Sequence, residues 1–277
     1  MSRRRIAVTL AAVAALAPVA TVAAIAATLP SVAPLAHDNP RITSFMRERA
    51  AATHTAPAPL ADWVALDAIS TPLTCAVVKS EDRWFFRHHG FVWSQLGRAA
   101  AAGGRMGGST LTQQLARNLY LSPARSWSRK LQEALLTRAL EARLDKRRLL
   151  ELYLNVVEWG DGVWGVAAAT RHYFGKPPSQ IGWAEAAFLA AQLAAPRRAR
   201  TGDNLARALR VERRVLGQLY ASGLVDAAGL ARAAAEARVI VPAWPRLDER
   251  PLPAARALAD GCGLGRELAE EARSAAR

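Results

Sequence analysis

Two short segments gather the residue types that chemistry needs. The first is Glu81-Asp82-Arg83-Trp84-Phe85-Phe86-Arg87-His88-His89-Gly90. The second is Gly107-Gly108-Ser109-Thr110-Leu111-Thr112-Gln113-Gln114-Leu115-Ala116-Arg117-Asn118, a polar, glycine-led stretch in a chain otherwise rich in Ala, Leu and Arg. Glu81 and Glu133 stand out among the carboxylates by their neighbours. A carboxylate pair can act as base and acid, or as base and stabiliser, in sugar chemistry. A general base works best with a pKa near ambient pH. Moving a glutamate from ~4.3 toward 7 takes about 3–4 kcal/mol of differential interaction. Burial beside Trp84, Phe85 and Phe86, with Asp82 adjacent, pushes in that direction. The plainer reading of Glu81 is a helix-end carboxylate paired with Arg83 or Arg87. Glu133 lies three residues from Lys130 and four from Arg129, the spacing of an ordinary helix-surface salt bridge. His88 and His89 are adjacent, so at most one can face a given site; holding a loop by hydrogen bonds is the alternative to proton transfer.

The second segment reads as a helix start. Thr110-Leu-Thr-Gln113 matches a capping box. First-turn amides and the positive end of the dipole there suit a phosphate. Arg117, Arg125, Arg129 and Lys130 follow closely, and clustered guanidiniums are what a diphosphate needs. In a chain this rich in arginine a solvated basic face is the competing reading.

The elements that must position these residues are almost all helical. Few β-branched and aromatic residues, and abundant Ala and Leu, favour helix over strand. Thr71-Pro72 reads as N-cap and first helical position, opening an apolar run, 73–78, that ends at Lys79-Ser80-Glu81-Asp82. Glu81 therefore falls at a helix end or just beyond it. The sequence predicts a long helix over 127–144 and another capped by Asp145 and running to about 157. A turn follows at 158–162, then a helix from about 163 that stops at Gly175 before Pro177-Pro178. Further helices are expected over 183–195, 204–222 and 226–237. Hardly any strand signal is present.

The flanks bound the setting. The formal charge is +14, and the only lysines are Lys79, Lys130, Lys146 and Lys176. Such a surface attracts anions: nucleic acid, acidic headgroups or phosphorylated substrates. No charged residue occurs from Ile6 to Leu29, enough for a helix of roughly 36 Å across a hydrocarbon core of about 30 Å. The basic start, Met1-Ser-Arg-Arg-Arg5, puts the N-terminus on the cytoplasmic side. A cleaved signal peptide is the competitor, although its apolar region is usually only ~7–15 residues. The expected organisation is a cytoplasmic start and membrane anchor over 1–29, a linker over 30–62 containing a short helix near 41–51, a catalytic domain over 63–200, and a helical extension with a Pro-rich tail over 201–277. Cys75 reads as a small buried hydrophobe, and nothing asks for a disulfide with Cys262. No Cys/His spacing suggests zinc.

Taken together, these segments resemble the peptidoglycan glycosyltransferases of glycosyltransferase family 51. The resemblance covers roughly residues 73–196. It rests on Glu81, Asp82, Phe85, His88 and Gly90; on the run from Gly107 to Gln114; on Arg129, Lys130 and Glu133; on the run from Leu150 to Asn155; and on Gly165-Val166 through Ala168 to Tyr173-Phe174-Gly175-Lys176. The turn Glu158-Trp-Gly-Asp-Gly-Val-Trp-Gly is similar to that of monofunctional members from Gram-negative bacteria. The resemblance implies a mostly α, lysozyme-like domain behind an N-terminal transmembrane helix. It implies lengthening of glycan strands from lipid II in cell wall biosynthesis, with release of undecaprenyl diphosphate. Glu81 would deprotonate the acceptor 4-hydroxyl for inverting attack on the donor anomeric carbon. Glu133 would assist at the diphosphate, directly or by holding a divalent metal (Mg or Mn), and no organic cofactor is implied. Arg117, Arg125, Arg129 and Lys130 would bind the diphosphate. Ser109, Thr110, Gln113, Gln114 and Asn118 would shape the donor site, with Asp82, Phe85 and His88 also in the substrate-binding set. Residues 91–105 would form a membrane-dipping lid. The family usually has Lys where this chain has Arg117, so a planar fork replaces a point donor.

The implied setting is the inner membrane, single-pass, with the catalytic domain in the periplasm and other cell wall synthesis and division proteins as partners. Larger relatives carry Ser-x-x-Lys and Lys-Thr-Gly. This chain has neither, and no penicillin-binding activity is expected. A lysozyme-like glycan cleaver and a non-catalytic lipid II scaffold are the competing readings. A nucleic-acid partner is not expected, because the anchor places the basic domain outside the cytoplasm.

Overall fold

The computed structural model describes residues 17–60, 62–94, 97, 108–124, 126–198, 201–241 and 262. The expected mostly helical architecture is what it contains. Nine helices are labelled here: α1 (Ser44–Ala52), α2 (Thr71–Glu81), α3 (Leu111–Tyr120), α4 (Trp127–Glu141), α5 (Lys146–Val156), α6 (Val166–Phe174), α7 (Trp183–Leu193), α8 (Gly202–Ala221) and α9 (Ala227–Ile240). A two-stranded antiparallel hairpin, β1 (Glu158–Gly160) and β2 (Val163–Trp164), stands where a simple turn was expected. It also delays the next helix to Val166, which Gly165 introduces at φ +80°.

Two helix groups meet at a seam. In one, α7 packs against α2, α8 and α9. Its run Ala184, Ala186, Ala187, Leu189, Ala190 and Ala191 is buried, and small side chains let neighbouring helices approach closely on several sides. In the other, α3 packs against α1, α4 and α5. Its buried leucines, Leu111, Leu115 and Leu119, recur every four residues, the spacing that makes one helix face apolar. The two groups share one continuous core.

Helix ends follow local chemistry. Thr110 caps α3 with Gln113 in a reciprocal box, and Asp145 caps α5. The start of α2 lies one residue earlier than expected: Ser70 caps it, and Pro72 takes the second helical position.

Packing reaches beyond the bounds expected for the catalytic domain. Residues 30–62, expected as a linker, contribute Val32, Leu35, Met46 and Ala50 to buried positions, and α1 lies on α3. Helices α8 and α9 of the expected extension pack on α7. Cys75, at 0% exposure, is disulfide-bonded to Cys262 across 187 residues of sequence. Among the described residues no helix is long and apolar enough to cross a membrane. Residues 6–16 of the expected anchor lie outside the described residues, as does most of the expected lid.

Candidate active site

Glu81 is the last residue of α2 and sits half-buried where the two helix groups meet. Its Oε2 accepts a hydrogen bond from Gln114 Nε2 of α3 at 2.9 Å. Gln114 Oε1 in turn accepts one from the Tyr153 hydroxyl of α5 at 3.0 Å. Burial raises the Glu81 carboxyl above its usual range, the Gln114 hydrogen bond draws it back, neighbouring Asp82 adds to the rise, and Arg117 opposes it. Glu81 is thus a carboxylate made more basic by its surroundings.

The next residue turns inward. Asp82 Oδ2 accepts from the Leu111 amide of α3 at 3.0 Å and pairs with His88 Nε2 at 2.8 Å. The Gly90 amide donates to His88 Nδ1 at 3.0 Å, so Nδ1 is the acceptor and Nε2 carries the proton toward Asp82. The Thr110 hydroxyl donates to the Gly90 carbonyl at 2.7 Å. Gly90 holds φ +92°, and a Cβ there would lie 2.8 Å from Thr137 Cγ2, so only glycine fits this corner.

This lattice takes up part of the start of α3 that the sequence suggested for a phosphate. Two of its first-turn amides serve the protein: Leu111 donates to Asp82, and Gln113 to Thr110 Oγ1. A carboxylate at a helix N-terminus takes the favourable end of the dipole, and that carboxylate is Asp82. Several residues expected to touch substrate are accordingly internal. Asp82, Phe85, His88, Thr110 and Gln113 are all buried, and they join the two motif segments together. Asn118 is buried too and donates to the Gln114 carbonyl at 2.8 Å. Ser109 is half-buried beside them.

The cations gather on α3 and α4. Glu133, 1% exposed, receives Arg129 Nη1 at 2.8 Å on one oxygen and Lys130 Nζ on the other. The salt-bridge reading of Glu133 is therefore what the side chains form. Among the described residues no group of three or more His, Cys, Asp or Glu side chains could hold a metal. Both Glu133 oxygens already face cations, and this donor set does not suit a divalent ion. Among the described residues, the buried Nε nitrogens of Arg117 and Arg129 have no acceptor. A buried N–H without a partner costs about 1–3 kcal/mol, a cost that an anionic ligand between these helices would remove. Arg125 lies outside the described residues.

Three residues near the site carried no assigned role from the sequence. Tyr153 sits in the Leu150–Asn155 motif, and a lone phenol in a leucine-rich buried helix was its available signal. Phe45 of α1 lies under the Arg117 guanidinium, 6.0 Å from carbon to ring centroid, in a segment whose composition reads as linker. Glu141 accepts from Thr112 and from Lys146 at 2.7 Å, and ties α3 to α4 and the start of α5.

With this geometry in hand, the Transglycosylase family model matches residues 49–220; this is more than half of the chain, and the chain belongs to that family. Among curated proteins it is similar to the biosynthetic peptidoglycan transglycosylase of Azoarcus sp. (strain BH72), 48% identical over 175 residues that cover 58% of this chain and 73% of the relative. The protein of the same name from Aromatoleum aromaticum is 47% identical over 171 residues, covering 59% and 74%. That of Rhodospirillum centenum is 51% identical over 140 residues, covering 49% and 61%.

Proposed function

We propose that this family member is a peptidoglycan glycosyltransferase that lengthens glycan strands from lipid II and releases undecaprenyl diphosphate, with Glu81 as its general base. The observation that carries the base assignment is the Glu81 carboxylate itself: half-buried at the seam and, among the described residues, held by one neutral donor, Gln114; burial pushes its pKa up. A carboxylate of this kind holds a proton more strongly than a free one, which suits it to general-base work.

Glu81 takes the proton of the acceptor sugar 4-hydroxyl. The oxygen attacks the donor anomeric carbon from the face opposite the diphosphate. The bond from that carbon to the diphosphate oxygen breaks, the configuration inverts, and undecaprenyl diphosphate leaves with the electron pair. Arg117, Arg129 and Lys130 neutralise the departing charge, with Arg125 beside them in sequence. Glu133 holds Arg129 and Lys130 in place, and this role needs no metal. Fixed cations aimed at developing charge are worth more in a desolvated site than in water.

Residues 6–29, free of charge, anchor the domain to the inner membrane with the site on the periplasmic side, next to a lipid-linked substrate. Cell wall synthesis and division proteins are the partner class that fits this setting. The test is polymerisation of labelled lipid II in detergent, wild type beside Glu81→Gln. Long glycan from the wild type and none from the folded variant is expected; a variant that polymerises normally overturns the base assignment. Soluble fragments released from purified peptidoglycan would point to a glycan cleaver instead.

A further inference from the structure

We infer that Tyr153 is a positioning residue for the general base, fixing the Gln114 side-chain amide so that its NH2 group faces Glu81. The inference rests on the base reading of Glu81 and adds to it a residue on a third helix. A glutamine amide offers a donor at one end and an acceptor at the other. Against a carboxylate the two orientations are far from equal. With nitrogen toward Glu81 a charge-assisted hydrogen bond forms; with oxygen toward it, two acceptors repel. The Tyr153 hydroxyl, at 3.0 Å from Gln114 Oε1, favours the first orientation by donating to the oxygen end. The phenol is suited to that task. Tyr153 is 1% exposed, and burial together with the nearby Glu81 charge raises its pKa well above 10, so it keeps its proton.

The helix carrying Tyr153 is itself clamped. Asn155 of α5 exchanges hydrogen bonds with the Val64 backbone at 2.9 and 2.8 Å. Glu151 receives the Leu66 amide at 2.9 Å and Trp63 Nε1 at 3.1 Å. These contacts hold α5 from a side separate from the Gln114 contact, so the phenol is delivered from a fixed backbone. The charged and titratable groups that bear on Glu81 are Asp82 from its own segment, Arg117 from α3 and Tyr153 from α5. Removing the Tyr153 hydroxyl leaves those charges in place and frees the amide to turn. Glu81 then loses part of its one hydrogen bond and binds its proton more tightly.

The experiment is the pH profile of kcat/KM for lipid II polymerisation by the full chain. In Tyr153→Phe the acid limb is expected to move to higher pH by about half a unit or more, with the alkaline limb unmoved. Gln114→Ala moves the acid limb the same way, and the double variant moves it no further, since both act through one hydrogen bond. An acid limb that stays put in folded Tyr153→Phe overturns the inference, and so does a double variant whose shift is the sum of the single ones. Should Tyr153→Phe fail to fold, 3-fluorotyrosine placed at 153 keeps the shape and sharpens the donor. The acid limb should then move to lower pH, and no movement overturns the inference. Glu81→Gln run alongside separates the two levels. If it keeps turnover, the base reading falls and this inference with it. If it is inactive while the Tyr153 variants leave the limb unmoved, only Tyr153 loses its role.

Discussion

Glu81 and Glu133 are the same residue in two opposite settings. Glu81 reaches the seam between the helix groups, half-buried, with one neutral donor on its carboxylate among the described residues. Glu133 is buried deeper, within α4, and has a cation on each oxygen. Burial without a counter-charge makes a carboxylate hold its proton; burial with two cations uses the carboxylate to fix those cations. Exposure alone would assign the roles wrongly, because the more buried glutamate is the one tied up by cations. What separates base from anchor is the charge of the neighbours.

That contrast can be broken in order of expected effect. Glu81→Gln should lower kcat by about 10²- to 10⁴-fold, the usual contribution of a general base, as read by single-turnover polymerisation of labelled lipid II. Glu133→Gln should act first on the fold. Removing one partner of a buried ion pair costs about 3–5 kcal/mol, and urea unfolding monitored by circular dichroism should show a midpoint well below wild type. A Glu133→Gln protein as stable as wild type would show that the cations do not need it.

The stability effect of Glu81→Gln should have the opposite sign. The folded state raises the Glu81 pKa above the unfolded value near 4.5. The folded protein therefore binds the proton more tightly, and stability falls as pH rises through the window from 4.5 to the raised value. Replacing the desolvated charge with a neutral amide removes that loss. Glu81→Gln should melt above wild type at neutral pH, with the gap closing below about pH 4.5. A gap that stays constant with pH would mean that titration of Glu81 is not its source. Last and smallest, Phe45→Leu removes the ring under Arg117. A cation–π contact at a partly exposed site is worth about 0.5–1 kcal/mol. The expected result is a loss of two- to five-fold in kcat/KM, with little change in melting temperature.

How much of this was legible beforehand depends on the range of the interaction involved. Thr110 with Gln113, and Asp145 before Lys146, announce helix starts because cap and helix lie within four residues. The Glu133 triad is legible for the same reason. Asp82 is different: its partners are His88 and the Leu111 amide, 29 residues away, and spacing cannot reveal that a helix start is already occupied. Residues 30–62 read as linker because prolines recur among small polar residues, yet Val32, Leu35 and Met46 are buried. The hairpin at 158–164 is too short for period-two alternation to register. Tyr153 was visible as a motif residue, but its contact with Gln114 spans 39 residues. The chemistry-bearing residue types could be picked out from the sequence; which of them face the cleft depended on the packing.

The bond between Cys75 and Cys262 has a consequence for how the molecule comes into being. Cys75 lies on α2, six residues before Glu81, and its partner follows 187 residues later. Every helix from α3 to α9 lies inside that covalent ring. During synthesis Cys75 emerges early and has to stay unpaired until almost all of the catalytic machinery has followed. The last link made in the chain is thus one that grips the helix bearing the base. A single proteolytic cut within the ring would leave the fragments tethered, visible on a gel only after reduction.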